Sequence, residues 1–143
     1  MKVCTMGFNI SKKRASQTGD IELKNGDGTP MLDDAGNPIS VTVHGPASKV
    51  WEQAHADKNR KRAMLLRKNG GRMEAALDNA LKDQIEFLCR VTICFNGDIE
   101  HPDAAAKGLV RAIYEDDELG FIRDHVDGEV NDWSAFTKGS ATS

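Results

Sequence analysis

Hydrophobic and polar positions change period along this chain, and the changes mark its elements. Up to residue 19 the sequence is polar apart from Met6, Phe8 and Ile10, with no repeating face. From Asp20 the apolar positions alternate: Ile21 and Leu23 have polar neighbours, and Val41 and Val43 flank Thr42. Both segments read as short strands. Between them lies NGDGTPMLDDAGNP, dense in the residues that supply turns and positive φ. The simplest reading is a β-hairpin, with Met31-Leu32 and Pro38-Ile39 extending the pairing towards an Asp34-Ala35-Gly36-Asn37 tip. Two strands alone are marginal in water, so such an arm has to rest on the helices or on another chain.

After His44-Gly45-Pro46 the spacing becomes helical. Ser48 is the N-cap signal, and Trp51-Glu52 opens a helix running to about Lys68, which Asn69-Gly70-Gly71 breaks. A second helix is expected from about Met73 to Phe95. Leu77, Leu81, Ile85, Leu88 and Thr92 share its apolar stripe, beside Ala76, Ala80 and Val91. Asn96-Gly97-Asp98 stops it. His101-Pro102-Asp103 starts a third helix, with proline near the first turn, where its missing N–H does no harm. Its apolar side is Ala106, Leu109, Val110 and Ile113, and it ends at Tyr114. The acidic turn Glu115-Asp116-Asp117-Glu118 then enters a last helix at the end where negative charge is favoured. On that helix Leu119, Ile122, Val126, Val130 and Trp133 fall on one face, flanked by Phe121 and Phe136. So much apolar and aromatic surface on a short helix must be covered, by the domain or by a partner. Gly128 is the point at which this helix would break in two.

The pattern therefore predicts a mainly α protein, about four helices forming a small helical domain preceded by an N-terminal β-hairpin arm. Its segments are a partly ordered stretch over 1–19, the arm over 20–47, the helical domain over 48–136 and a small, polar, disordered tail over 137–143.

Composition narrows the function classes. At 143 residues the chain can bury a real core, and 39% hydrophobic with 29% charged residues is the balance of a soluble protein. No segment approaches the roughly 18 uninterrupted apolar residues of a membrane span. The first residues lack the sustained apolar run of a signal peptide, so the Asn9-Ile10-Ser11 glycosylation match is read as chance. Cys4, Cys89 and Cys94 are odd in number and show no disulfide-framework spacing, which suits a reducing compartment. A formal net charge of −3 gives no global argument for nucleic acid.

Charge is nonetheless unevenly placed. Lys58, Arg60, Lys61, Arg62, Arg67, Lys68 and Arg72 form a run of seven bases without an acid, whereas from Asp98 onward eleven acids face four bases. Three readings of the run stay open: a solvated face paired within the domain, a surface for a protein partner, and a phosphate-binding face. The first carries most weight and the last least. Chemistry-bearing sets do not assemble. Cys89 and Cys94, five residues apart on the expected helix, point to different faces and miss zinc spacing, with His101 nearby. No oxyanion device or orienting residue accompanies a cysteine nucleophile. Asp27, Asp33 and Asp34 lack the ligand pattern of a calcium loop and read as turn residues. No catalytic residue, metal or cofactor is expected.

Taken together, the hairpin with its acidic-glycine turn, the HGPASKVWEQA helix start, the basic helix and GFIRDHVDGEVNDWSAF resemble the tail assembly chaperones of long-tailed, siphovirus-like bacteriophages. Ile113, Tyr114, Phe121, Ile122, Arg123, Val126 and Phe136 occupy the positions of that family's isoleucine–tyrosine, acidic turn and aromatic-isoleucine-arginine pattern. The likeness spans roughly residues 20 to 136. Gly128, where relatives more often carry a helix former, and the missing proline in the acidic turn depart from it. The resemblance implies a non-virion assembly factor of the host cytoplasm. Such a factor binds the tape measure protein, keeps it soluble and promotes assembly of the tail tube protein around it. In many relatives a frameshifted longer form recruits the tube protein. The partner-binding residues expected on this reading are apolar Trp51, Leu119, Phe121, Ile122, Val126, Trp133 and Phe136, with the basic run as electrostatic support and homo-oligomer formation as a further expectation. The rival expectations are a structural tail component, such as a terminator or completion protein, and a small nucleic-acid-binding or regulatory protein using residues 58–72.

Overall fold

The computed structural model describes residues 10–68 and 79–137. The fold is mainly α with a small antiparallel sheet from the N-terminal region. Strand β1 (Thr18–Glu22) pairs with β2 (Ser40–His44), and β2 pairs in turn with β3 (Thr92–Asn96), giving the order β1-β2-β3. Alternation assigns the faces: Ile21, Val41 and Val43 are buried. On the other face Thr42 Oγ1 donates to Asp20 Oδ1 at 2.5 Å, and Asn96 Nδ2 donates to Thr42 Oγ1 at 2.8 Å. A polar ladder thus ties three strands together on the side away from the core.

Between β1 and β2 the chain makes two small turns. The bridges Lys24↔Pro30 and Leu32↔Pro38 close them, so the pairing does extend through Leu32 and Pro38. Met31 inserts between the strands, donating to the Leu23 carbonyl and accepting from Ile39. Asp27 Oδ1 accepts from the Thr29 N–H, and Asp33 Oδ1 from the Ala35 and Asn37 N–H groups, the turn roles read for these aspartates.

Helix α1 (Lys49–Lys68) begins where Ser48 Oγ accepts from the Trp51 N–H at 3.2 Å and donates to the Gly45 carbonyl at 2.7 Å. Helix α2 (Ala80–Val91) packs on it through Ala54 and Phe87. The expected start near Met73, with Ala76, Leu77 and the Asn69-Gly70-Gly71 break, lies outside the described residues. The expected end at Phe95 is corrected: α2 stops at Val91, and Thr92 turns extended to begin β3. Thr92, Ile93 and Phe95 are strand formers, and the open edge of β2 supplies their hydrogen-bond partners. Ile93 is the extra residue at a bulge opposite Thr42 and Val43.

The third helix is also corrected. Gly108, at φ +86°, divides it into α3 (Ala104–Lys107) and α4 (Leu109–Glu115). Only the glycine adopts this backbone without strain. A 3-10 turn (Asp117–Leu119) follows, capped by Asp116 Oδ1 accepting from the Glu118 N–H. Helix α5 (Gly120–Val130) runs straight through Gly128, so no break occurs there. It ends instead at Asn131, whose side chain donates to the Asp127 carbonyl at 2.7 Å. A last 3-10 turn (Trp133–Phe136) returns to the sheet. Val126 and Val130 are fully buried, with Tyr114, Phe87, Leu88 and the strand valines around them. Sheet and helices thus share one core, so the hairpin rests on the helices of its own chain.

Candidate interaction surfaces

The apolar stripe near the C-terminus is divided by the fold. Ile122, Val126 and Phe136 are buried in this chain's own core, so their assignment as partner contacts is corrected: their side chains serve the core. Phe136 is held with particular closeness. A Cβ at Gly45 would lie 2.5 Å from its ring and one at Gly19 2.9 Å away, so the phenyl ring lies against bare backbone of both segments. Its carbonyl accepts from the Ser16 N–H at 2.8 Å. Leu119 is half-buried against the core. Trp51 is half-buried too, stacked on His55 at 4.6 Å and edge-on to Phe87 at 6.1 Å. That leaves Phe121, 38% exposed, and Trp133, 55% exposed, as the two members of the set on the surface.

Basic residues of α1 divide in the same way. Lys58 Nζ sits 4.4 Å from the centre of the Phe87 ring, and Arg60 pairs with Asp57 at 2.7 Å. Asp57 also takes Arg90 at 2.7 Å, and these hydrogen bonds, that from Arg90 foremost, lower its pKa. Lys61, Arg62, Arg67 and Lys68 are exposed, and Arg72 lies outside the described residues. Arg62 and Lys58 border a depression that Asp127 of α5 also lines, so the acidic half of this same chain comes up to one flank of the basic helix. Lys61, Met64, Leu65, Arg67 and Lys68 border an open hollow on the other, mixing apolar and basic surface.

Several other titratable groups are tied into structure. His101 Nδ1 accepts from the Asp103 N–H at 3.0 Å while Nε2 lies 2.9 Å from Asp116 Oδ2, so the geometry selects the Nε2–H tautomer and occupies both nitrogens. The His101 bond, then the Glu118 N–H, lower the Asp116 pKa. Arg111 joins Glu86 and Glu115, raising its own pKa and lowering theirs, with Lys107 the larger influence on Glu115. Burial raises the pKa of the Cys89 thiol, whereas Cys94 lies exposed on β3. Arg123 is buried and donates to the Tyr114 carbonyl at 3.0 Å, closing the end of α4. Tyr114 is itself buried, its hydroxyl 2.8 Å from Thr92 Oγ1, and desolvation raises its pKa. Among the described residues, no group of three His, Cys, Asp or Glu side chains is placed to hold a metal ion. No described helix is long and apolar enough to cross a membrane.

One surface has no counterpart in the sequence reading. A groove of about 670 Å³ runs along the outer edge of β1, walled by His125 and Glu129 of α5 and by Ala135 and Phe136 of the last turn. Trp133 belongs to that same turn. Thr18, Asp20 and Glu22 alternate on a strand that the sheet leaves at its margin, a placement set by the sheet order rather than by local sequence. No protein-family model, curated protein or solved structure matches this chain.

Proposed function

We propose that this chain is a tail assembly chaperone of a long-tailed phage. It acts in the host cytoplasm as a non-virion factor, binding the tape measure protein, keeping it soluble and promoting tail tube assembly around it. The observation that carries this reading is the exposure of Phe121 and Trp133, on a C-terminal segment whose other large apolar side chains close the core. Tryptophan in particular is enriched among the residues that carry binding energy at protein interfaces. The mainly α fold with its N-terminal strands is the one the periodicity predicts, and it presents these two side chains on one C-terminal segment. Exposed bases at the end of α1 supply electrostatic attraction for an acidic client segment or for the tube protein.

The mechanism makes and breaks no covalent bond and needs no cofactor. Each aromatic contact contributes roughly 1.5–3 kcal/mol when fully covered. A long client carrying many such segments binds many copies of the chaperone, and tube subunits release them by covering the same segments. Recruitment of the tube protein by a frameshifted longer form belongs to the same scheme. Co-expression with the tape measure protein proposed as its client tests the reading. Its soluble yield should rise severalfold, and a yield indifferent to this chain would end the proposal. The exposed half of α1 favours nucleic-acid binding as a second reading. Submicromolar DNA binding that falls steeply with salt would put that reading in first place.

A further inference from the structure

Backbone alternation decides which groups of β1 point away from the sheet. The Gly45 N–H donates to the Gln17 carbonyl at 2.8 Å and the Leu23 N–H to the Ile39 carbonyl at 2.9 Å, so the odd positions face β2. The N–H and C=O groups of Thr18, Asp20 and Glu22 therefore point outward. One of them is taken: His125 Nε2 lies 3.0 Å from the Glu22 carbonyl. That bond closes one end of the groove, and the Ser16–Phe136 backbone bond closes the other. Between them lies an open strand edge. Sheet margins are ordinarily blunted by charge, proline or a bulge; the TGDIE segment of β1 has no proline and pairs without a bulge, and its charges, Asp20 and Glu22, are both acidic.

We propose that this edge captures one extended, cation-bearing segment of a partner protein, which adds as a fourth strand beside β1. Outward backbone groups supply the hydrogen bonds. Charge supplies the selectivity: Asp20, Glu22 and Glu129 line the groove against Lys24, with His125 at its end. Alternate lysines or arginines on the incoming strand meet those carboxylates. A second copy of this chain is excluded by the same charges. Pairing β1 on β1 sets Asp20 and Glu22 opposite their own kind, and directly opposed like charges destabilise a sheet. The inference rests on the client-binding reading for the partner's identity, and on the strand edge alone for the mode of capture.

The probe is a capped peptide of alternating lysine and valine, about seven residues long to cover the strand. The same peptide with glutamate for lysine is the control. Titrated into the full isotope-labelled chain, the lysine peptide should shift the amides of Thr18, Asp20 and Glu22. Thr18→Pro removes an outward N–H while sparing the bonds to β2, and should weaken binding about tenfold. Glu129→Gln, on the helical wall, should weaken it severalfold and flatten its salt dependence, and keeps the test valid should Thr18→Pro not fold. Equal binding of the glutamate peptide, shifts confined elsewhere, a β1-paired dimer or no binding of the lysine peptide would each overturn the proposal. The two readings fail separately. A lysine peptide that docks at β1 beside a client that stays insoluble sinks the chaperone reading alone. A client kept equally soluble by both variants sinks the edge alone.

Discussion

Phe136 shows how one side chain can decide the role of a whole segment. Its ring lies over Gly19 and Gly45, where any Cβ would intrude to within 2.9 Å or less. Gly45→Ala should therefore destabilise the fold by about 1–3 kcal/mol, since the ring has to move off a packed surface. Phe136→Ala should cost about 3–5 kcal/mol, the upper range for emptying a buried aromatic site. Urea unfolding of both variants checks this; unchanged midpoints would mean that the last turn is not part of the core. Trp133 is the opposite case. Trp133→Ala should leave stability within about 0.5 kcal/mol, as exposed substitutions do, while reducing client binding. From the sequence, Trp133 and Phe136 were indistinguishable: both are aromatic, three residues apart and close to the polar tail. Burial separates them because Asn131 ends α5 between Val130 and Trp133, rotating the final turn so that Phe136 meets the glycines.

At the scale of elements, glycine and charge set the joints. Gly128 stands in open space on a helix that continues past it, so Gly128→Ala should stabilise by about 0.5–1 kcal/mol. Gly108→Ala should do the reverse, because its φ of +86° strains any side chain. Thermal melts of the pair should move in opposite directions; melts that move together would refute the assignment of the two joints. The turn joining α4 to α5 adds a pH dependence. Asp116 is held below its ordinary value by His101 and the Glu118 N–H, so its contribution is complete above about pH 4 and fades as the pH falls through its lowered folded pKa. Asp116→Asn should remove that share of the acid-side loss, read from urea midpoints on either side of pH 4. The joints were partly legible in the chain: Ser48 as a cap and Asp27 and Asp33 as turn residues follow from local chemistry. Strand β3 was not. Thr92 continues the helical spacing of Leu88, and only the free edge of β2, distant in sequence, converts Thr92–Asn96 into a strand.

Across the whole molecule the mainly α character and the N-terminal strands were readable from periodicity, because the apolar positions of each element face one shared core. The third strand was not, since β3 returns from the helical half to complete the sheet. The candidate surface was legible only in outline. The sequence marks the C-terminal segment as too apolar to stand uncovered, but Ile122, Val126 and Phe136 prove to satisfy the core, leaving Phe121 and Trp133 outside. The groove beside β1 depends on which strand is left at the margin, which no local pattern records. The proposed account makes those two aromatics the contact between chaperone and client. Its most direct test is the soluble fraction of the tape measure protein co-expressed with this chain or with a folded Phe121→Ala/Trp133→Ala double variant. The account predicts that the native chain keeps the client soluble and that the double variant loses most of that effect. Equal solubility with both chains, or with neither present, would contradict it.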